Sequence, residues 1–206
     1  QSSIQRFIAV LGFGLCLLFT VSAQNTEVSY IEGSPRLRDG AGALSILDYG
    51  ILVRTGDSII TGRSDQVELI QGDAATITVW PDTVFTIREM QVEGQNEQVL
   101  TAAAGAVGMR FNRLAGREPR VGTVATVAGI RGTELRIYAG PDGSSLFVVD
   151  SGLVFIETDS SAVELGPDQA VEVSATGLAG EVFSVIGRET SHADWVDART
   201  QLLLKD

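Results

Sequence analysis

The chain has 206 residues, 44% of them hydrophobic, so it can bury a substantial core, which argues against intrinsic disorder. Its formal net charge of -11 repels a phosphate backbone and speaks against a general nucleic-acid binder. Its 23 glycines, with recurring Val, Ile and Thr, favour strands joined by tight turns over long helices.

The first element is a targeting segment. Arg6 precedes the apolar run Phe7 to Val21, and Val21-Ser22-Ala23 offers a small-x-small cleavage site, the layout of a secretory signal peptide over residues 1–23. The run has 15 residues, short of the roughly 20 a spanning helix needs. Loss of this segment removes one charged residue, Arg6, and takes the charge from -11 to -12. The sequence begins with Gln1, so a short membrane anchor behind an upstream cytoplasmic domain is the competing reading. Cys16 lies inside the run and is preceded by Leu15, a poor lipoprotein signal; a cleaved chain would have no thiol chemistry.

Residues 24–186 are expected to form a β domain. Val28 to Ile31 alternates as a first strand, and Gly33 to Gly50 reads as turns around one or two short strands. Short β segments follow at Ile51 to Val53, Asp57 to Ile60, Gln66 to Ile70, Ala75 to Val79 and Val84 to Arg88, with turn signals between them. Gln98 to Ala104 and Ala106 to Phe111 are expected as a pair of strands flanking Gly105. Val121 to Ile130 and Glu134 to Tyr138 come next, then a hairpin at Pro141-Asp142-Gly143 into Ser145 to Val149. Ser151-Gly152 is read as a turn into Leu153 to Glu157, followed by Ala162 to Leu165 and Ala170 to Val173. Over 187–206, Ser191 to Asp194 has the form of a helix start, and Trp195, Val196, Leu202 and Leu203 fall on one helical face. The expected fold is all-β, a sandwich or roll of short, mainly antiparallel strands, with one C-terminal amphipathic helix.

Candidate chemistry is sparse. The single histidine, His192, sits at that helix start, so the usual zinc sites and a Ser-His-Asp triad lack their ligands or base. Asp57, Asp73, Asp82, Asp142 and Asp168 fall in turn contexts, where Asp stabilises loops. Arg110, Arg113, Arg117 and Arg120 lie within eleven residues and read as a solvated loop or as a docking site for an anionic partner. Trp80, beside Pro81, could form a carbohydrate-stacking platform with Tyr49 or Tyr138, or pack a core or turn. Arg131, between Gly129 and Gly132 at the end of an apolar run, must be paired or exposed; we expect it to satisfy turn carbonyls or a carboxylate such as Glu134 or Asp150.

The order of several motifs resembles FecR-type domains. Thr55-Gly56-Asp57-Ser58-Ile59-Ile60-Thr61-Gly62 through Leu69 is similar to their opening signature, and Gln71 through Pro81 to the next strand pair. Leu100 to Val107 resembles a Leu-x-x-Gly-x-Val step. Val124 to Leu135, with Gly129-Ile130-Arg131-Gly132-Thr133, resembles the distinctive Val-Arg-Gly-Thr-x-Phe pattern, and Val148 to Val154 the Val-x-x-Gly-x-Val that follows. Ile130, Leu135 and Ser151 depart from the usual Val, Phe and acid. The resemblance covers about Gly50 to Val173. It implies a β-rich extracytoplasmic domain; the namesakes are transmembrane regulators of iron uptake that pass a signal from an outer-membrane transporter to a sigma factor.

The expected function is therefore a non-enzymatic binding, sensor or scaffold domain, exported to the periplasm or cell surface, which contacts another cell-envelope protein without a cofactor or metal. The alternatives are a cell-envelope carbohydrate or polymer binder, or the periplasmic part of a transmembrane anti-sigma regulator. Arg131, Gly132, Thr133 and Trp80 are the candidate binding residues.

Overall fold

The computed structural model describes residues 25–92, 94–112, 119–158, 160–186 and 195. The signal peptide expected over 1–23 lies outside them, as does the helix expected over 187–206 apart from Trp195. Fifteen strands occur among the described residues: β1 (Thr26–Glu32), β2 (Arg36–Arg38), β3 (Leu44–Ile46), β4 (Leu52–Val53), β5 (Ser58–Ile60), β6 (Gln66–Gln71), β7 (Ala75–Val79), β8 (Val84–Val92), β9 (Gln95–Phe111), β10 (Arg120–Gly122), β11 (Val127–Ala139), β12 (Ser145–Glu157), β13 (Ala162–Leu165), β14 (Gln169–Val173) and β15 (Phe183–Ser184). All join one hydrogen-bonded sheet.

That sheet is folded along three of its strands. β9 has 17 residues and β11 and β12 have 13 each, and each carries a glycine of positive φ within it: Gly105 (84°), Gly132 (55°) and Gly152 (87°). The pairing partners change at those glycines. On one side the order is β3-β2-β5-β8-β9-β10-β11-β12-β13, using Gln95–Ala104 of β9, 127–131 of β11 and 153–157 of β12. On the other it is β4-β1-β6-β7-β9-β11-β12-β14-β15, using 105–111, 134–139 and 145–151 of the same strands. All pairs are antiparallel except β9 with β10, so the sheet is mixed.

The two halves meet through their apolar faces. Ile59, Phe85, Ile87, Leu100, Ile130 and Ile156 from the first half join Val28, Leu69, Ile77, Met109, Ile137 and Phe147 from the second in one buried cluster. Strict alternation produces this: β7 reads buried-exposed-buried-intermediate-buried, and β6 follows the same period of two. Each large side chain so buried contributes about 1.5–3 kcal/mol. A second, smaller cluster lies on the outer face of the second half, where Ala106, Tyr138, Leu146, Val148 and Ala170 are covered by Trp80, Phe183, Val185 and Trp195.

Two sequence expectations are corrected here. The strands are not uniformly short, and Gly105, Arg131-Gly132 and Ser151-Gly152 do not end strands. The chain keeps its direction at each of them and bends, because its neighbours pair with it on both sides of the glycine. At the β11–β12 crossing, Gly132 and Thr133 stand opposite Gly152 alone, a bulge that sharpens the bend. A turn and a bend both call for positive φ, so the glycines alone do not distinguish them.

Bending a ladder leaves backbone groups unpaired, and buried threonines meet them. The Thr83 hydroxyl accepts from Ala106 N at 2.9 Å and donates to Pro81 O at 3.0 Å. The Thr61 hydroxyl accepts from Thr83 N at 2.9 Å and donates to Trp80 O at 2.6 Å. The Thr133 hydroxyl donates to Leu153 O at 2.9 Å. The space these groups occupy excludes a side chain at the bend. A Cβ on Gly105 would strike Thr83 and Asp82 O, and one on Gly152 would strike Gly132 O and Thr133.

Gly152→Ala should therefore cost about 2–4 kcal/mol, the sum of the left-handed backbone penalty and overpacking. Gly42 has a φ of 89° but nothing within 4 Å of a Cβ, so Gly42→Ala should cost only the backbone part, about 1–2 kcal/mol. Urea unfolding of the two variants beside the parent measures the difference.

Candidate functional site

The three residues of the Arg131-Gly132-Thr133 motif do different things. Gly132 and Thr133 form the β11 bend and face inward, Thr133 being buried. Arg131 is exposed, and among the described residues it has no ion pair or side-chain hydrogen bond. The carboxylates expected to hold it are taken. Glu134 pairs with Arg110 at 2.8 Å, directly across the β9–β11 ladder. Asp150 receives two hydrogen bonds from Arg136, from Nη2 at 2.7 Å and Nε at 3.1 Å. The expectation that Arg131 fixes the turn through Glu134 or Asp150 is corrected: alternation turns its side chain to the outer face, opposite Leu153.

Arg136 also donates to the Tyr138 hydroxyl at 3.3 Å. Burial is the strongest single influence and works against the Arg136 charge, but the hydrogen bond to Asp150 and the further attraction of Tyr138 and Asp150 together outweigh it and raise the guanidinium pKa. Burial raises the Tyr138 phenol above its ordinary value, against the opposing pull of Arg136. Tyr138 stacks obliquely on Trp195, with ring centroids 6.4 Å apart.

Trp80 and Tyr138 both belong to the outer apolar cluster; Tyr49 does not. The six-membered ring of Trp80 lies over Gly108, where a Cβ would come within 2.9 Å of it, and Tyr138 is only 2% exposed. Trp80 is thus committed to packing over β9, and Tyr138 has no open face for a sugar ring. Of the arginine cluster, Arg110 pairs with Glu134 and Arg120 with Glu97 at 3.1 Å. Arg113 and Arg117 lie outside the described residues.

The turn acids pin loops. Asp57 is buried and accepts from Arg54 N at 2.8 Å and Gly40 N at 3.1 Å, tying two loops together. Asp65 accepts from Gly62 N at 2.7 Å and Ser34 N at 2.8 Å, and does the same one turn further on. Among the described residues no group of three or more His, Cys, Asp or Glu is placed to hold a metal ion.

One surface feature was not singled out from the sequence. β3 pairs with β2 alone and forms one edge of the first half. All three of its residues are exposed, with Leu44 at 53% and Ile46 at 73%. Asp39 N donates to Ala43 O and Leu47 N to Pro35 O, which places Leu37 and Ser45 in a hydrogen-bonded pair. The N–H and C=O groups of Leu44 and Ile46 therefore point to the open side. Arg36 and Arg38 lie opposite Ile46 and Leu44, both exposed and, among the described residues, without a carboxylate partner. The alternation of Arg36-Leu37-Arg38 and Leu44-Ser45-Ile46 was a strand signal, but that β3 is outermost depends on long-range pairing.

No protein-family model matches the chain, and no curated protein matches it. Two crystal structures of a "putative anti-sigma factor" from Parabacteroides distasonis are similar to it at 17% identity, with TM-scores of 0.49 and 0.48. In both, the alignment covers 61% of this chain and 57% of the other, so the match spans less than two thirds of those proteins.

Arg131→Met should leave stability within about 0.5 kcal/mol of the parent, as for surface changes without a partner. Arg136→Met should cost about 1–3 kcal/mol, because Asp150 and Tyr138 lose a partly buried donor. Thermal unfolding of both variants measures this. Tyr138 adds a pH dependence: the folded state keeps its phenol neutral beyond the unfolded value of 10.0. Its contribution is complete below that pH and is lost as pH rises through the folded-state pKa. Stability above pH 10 should fall less steeply in Tyr138→Phe than in the parent, measured by urea unfolding across pH 8–11.

Proposed function

We propose that this domain is a non-enzymatic binding module that works outside the cytoplasm, as a sensor or scaffold contacting another protein of the cell envelope. The observation that carries this reading is the open β3 edge, with two exposed aliphatic side chains and outward-facing backbone groups. An edge of this kind is what strand addition by a partner uses, and a protein that leaves one uncovered risks self-association. Of the residues that the sequence offers as candidate binding residues, Thr133 and Trp80 are engaged in the bend and in packing, which leaves the exposed strand edge as the better-supported contact surface. The signal-peptide-like layout of residues 1–23 and the resemblance of the motif order to FecR-type domains favour an envelope location.

The test is cross-linking in intact cells with an affinity-tagged full chain, followed by purification and mass spectrometry. One or a few envelope proteins should be enriched over a tag-only control and lost when the strands are unfolded by Gly152→Ala together with Gly105→Ala. Recovery of no protein beyond the control contradicts the reading, and turnover of an envelope substrate by the purified domain replaces it with an enzymatic one.

A further inference from the structure

We propose that the β3 edge takes an extended, acidic segment of a partner protein as an added strand, with Arg36 and Arg38 as the charges that select it. This rests on the binding-module reading and adds the surface and the chemistry of the partner.

Three observations converge on this edge. The first is the free ladder: Leu44 and Ile46 present unpaired N–H and C=O groups, so an incoming backbone finds two donors and two acceptors in register. The second is apolar area. Leu44 and Ile46 are two residues apart on the outer face, where they can contact alternate side chains of an added strand. The third is charge. Arg36 and Arg38 stand on that same face, one strand inward, about 9.5 Å from where an added strand would run, within reach of their long side chains. They lack carboxylate partners among the described residues, although the chain carries 26 acidic residues against 15 Lys and Arg. Two acids on the adjoining loops hold backbone groups instead: Asp39 accepts from Ala41 N at 3.0 Å and Ala43 N at 2.8 Å, and Asp57 holds Arg54 N and Gly40 N.

Charge complementarity decides among occupants. A basic or neutral strand would leave both arginines unpaired, and a second copy of this chain would bring another net charge of -11 and another pair of arginines to the same edge. An extended segment that carries both acidic and aliphatic side chains on one face meets both demands of the surface. The acids reach Arg36 and Arg38, and the aliphatic groups cover Leu44 and Ile46. Because successive side chains of a strand point to opposite faces, the acids and aliphatic groups that meet the outer face lie at every second position of the segment.

The test uses the full chain and two blocked decapeptides as probes, one carrying Glu and Val and one carrying Lys and Val at the same positions, with binding read by fluorescence anisotropy. The Glu peptide should bind, weaken at least tenfold between 50 and 300 mM salt, and weaken at least tenfold in Arg36→Glu/Arg38→Glu. Leu44→Pro, which removes an outward N–H without touching the bonds to β2, should reduce binding similarly, and the charge variant, which leaves the backbone untouched, covers the case in which the proline unfolds the edge. Equal binding of the Lys peptide, or unchanged affinity in the charge variant, overturns the proposal. So does sedimentation showing that Leu44→Pro abolishes a dimer of this chain, which would make a second copy the occupant. Cross-linking of an envelope partner that persists in Arg36→Glu/Arg38→Glu would sink this inference while leaving the binding-module reading intact; loss of all envelope cross-links in the parent would sink the latter.

Discussion

Three strands must bend between the two halves of the sheet, β11 and β12 opposite each other at Gly132 and Gly152 and β9 at the other end of the ladder, where Gly105 faces Ala139, and the rest of the structure depends on that constraint. β9, β11 and β12 each run through both halves of the sheet, so each must change direction without breaking its ladder. A glycine of positive φ supplies the bend in each, and Thr83 and Thr133 occupy the space that a side chain on Gly105 or Gly152 would need. Because the hydroxyls bond to the backbone groups that the bend exposes, the same residues that require glycine also compensate for it. Folding the sheet at these two creases, one through β11 and β12 and one through β9, brings its two apolar faces together into one core.

The remaining polar residues follow from that frame. The outer face of the second half carries the Arg110–Glu134 and Arg136–Asp150 pairs next to the Trp80 and Tyr138 cluster. The loops between short strands are held by Asp57 and Asp65, which accept backbone hydrogens from segments well separated in sequence. A domain pinned in this way presents fixed surfaces, and one of them is the β3 edge, whose three residues are all exposed. Surface pairs of the Arg110–Glu134 type contribute little to stability, so the frame owes its strength to the core and the creases.

Much of this was legible in the sequence where signals are local. β7 coincides with the expected Ala75 to Val79, and the hairpin at Pro141-Asp142-Gly143 joins β11 to β12 as expected. Alternation and turn residues are near-neighbour effects, and these elements obey them. The glycines at the bends are visible in the sequence too, but by local signals alone they mark strand ends. Positive φ at Gly105 is common to a reversal and a bend, and only pairing with β7 and β11 beyond it decides. Arg131 was misassigned for a related reason. Glu134 and Asp150 are near it in sequence or across the ladder, but Arg110 and Arg136 reach them first, and that competition is settled by register. The β3 edge stayed hidden because being outermost is a property of the whole strand order.

If the three bent strands make the two halves one cooperative unit, amide hydrogen exchange under native conditions reads it directly. The slowest amides in the first half, at Leu100, Ile130 and Val154, should open with the same free energy as those at Val107, Ile137 and Phe147 in the second, and both should equal the global unfolding free energy. A consistently lower opening free energy in one half would show that the creases are hinges between separate units, and would contradict the account.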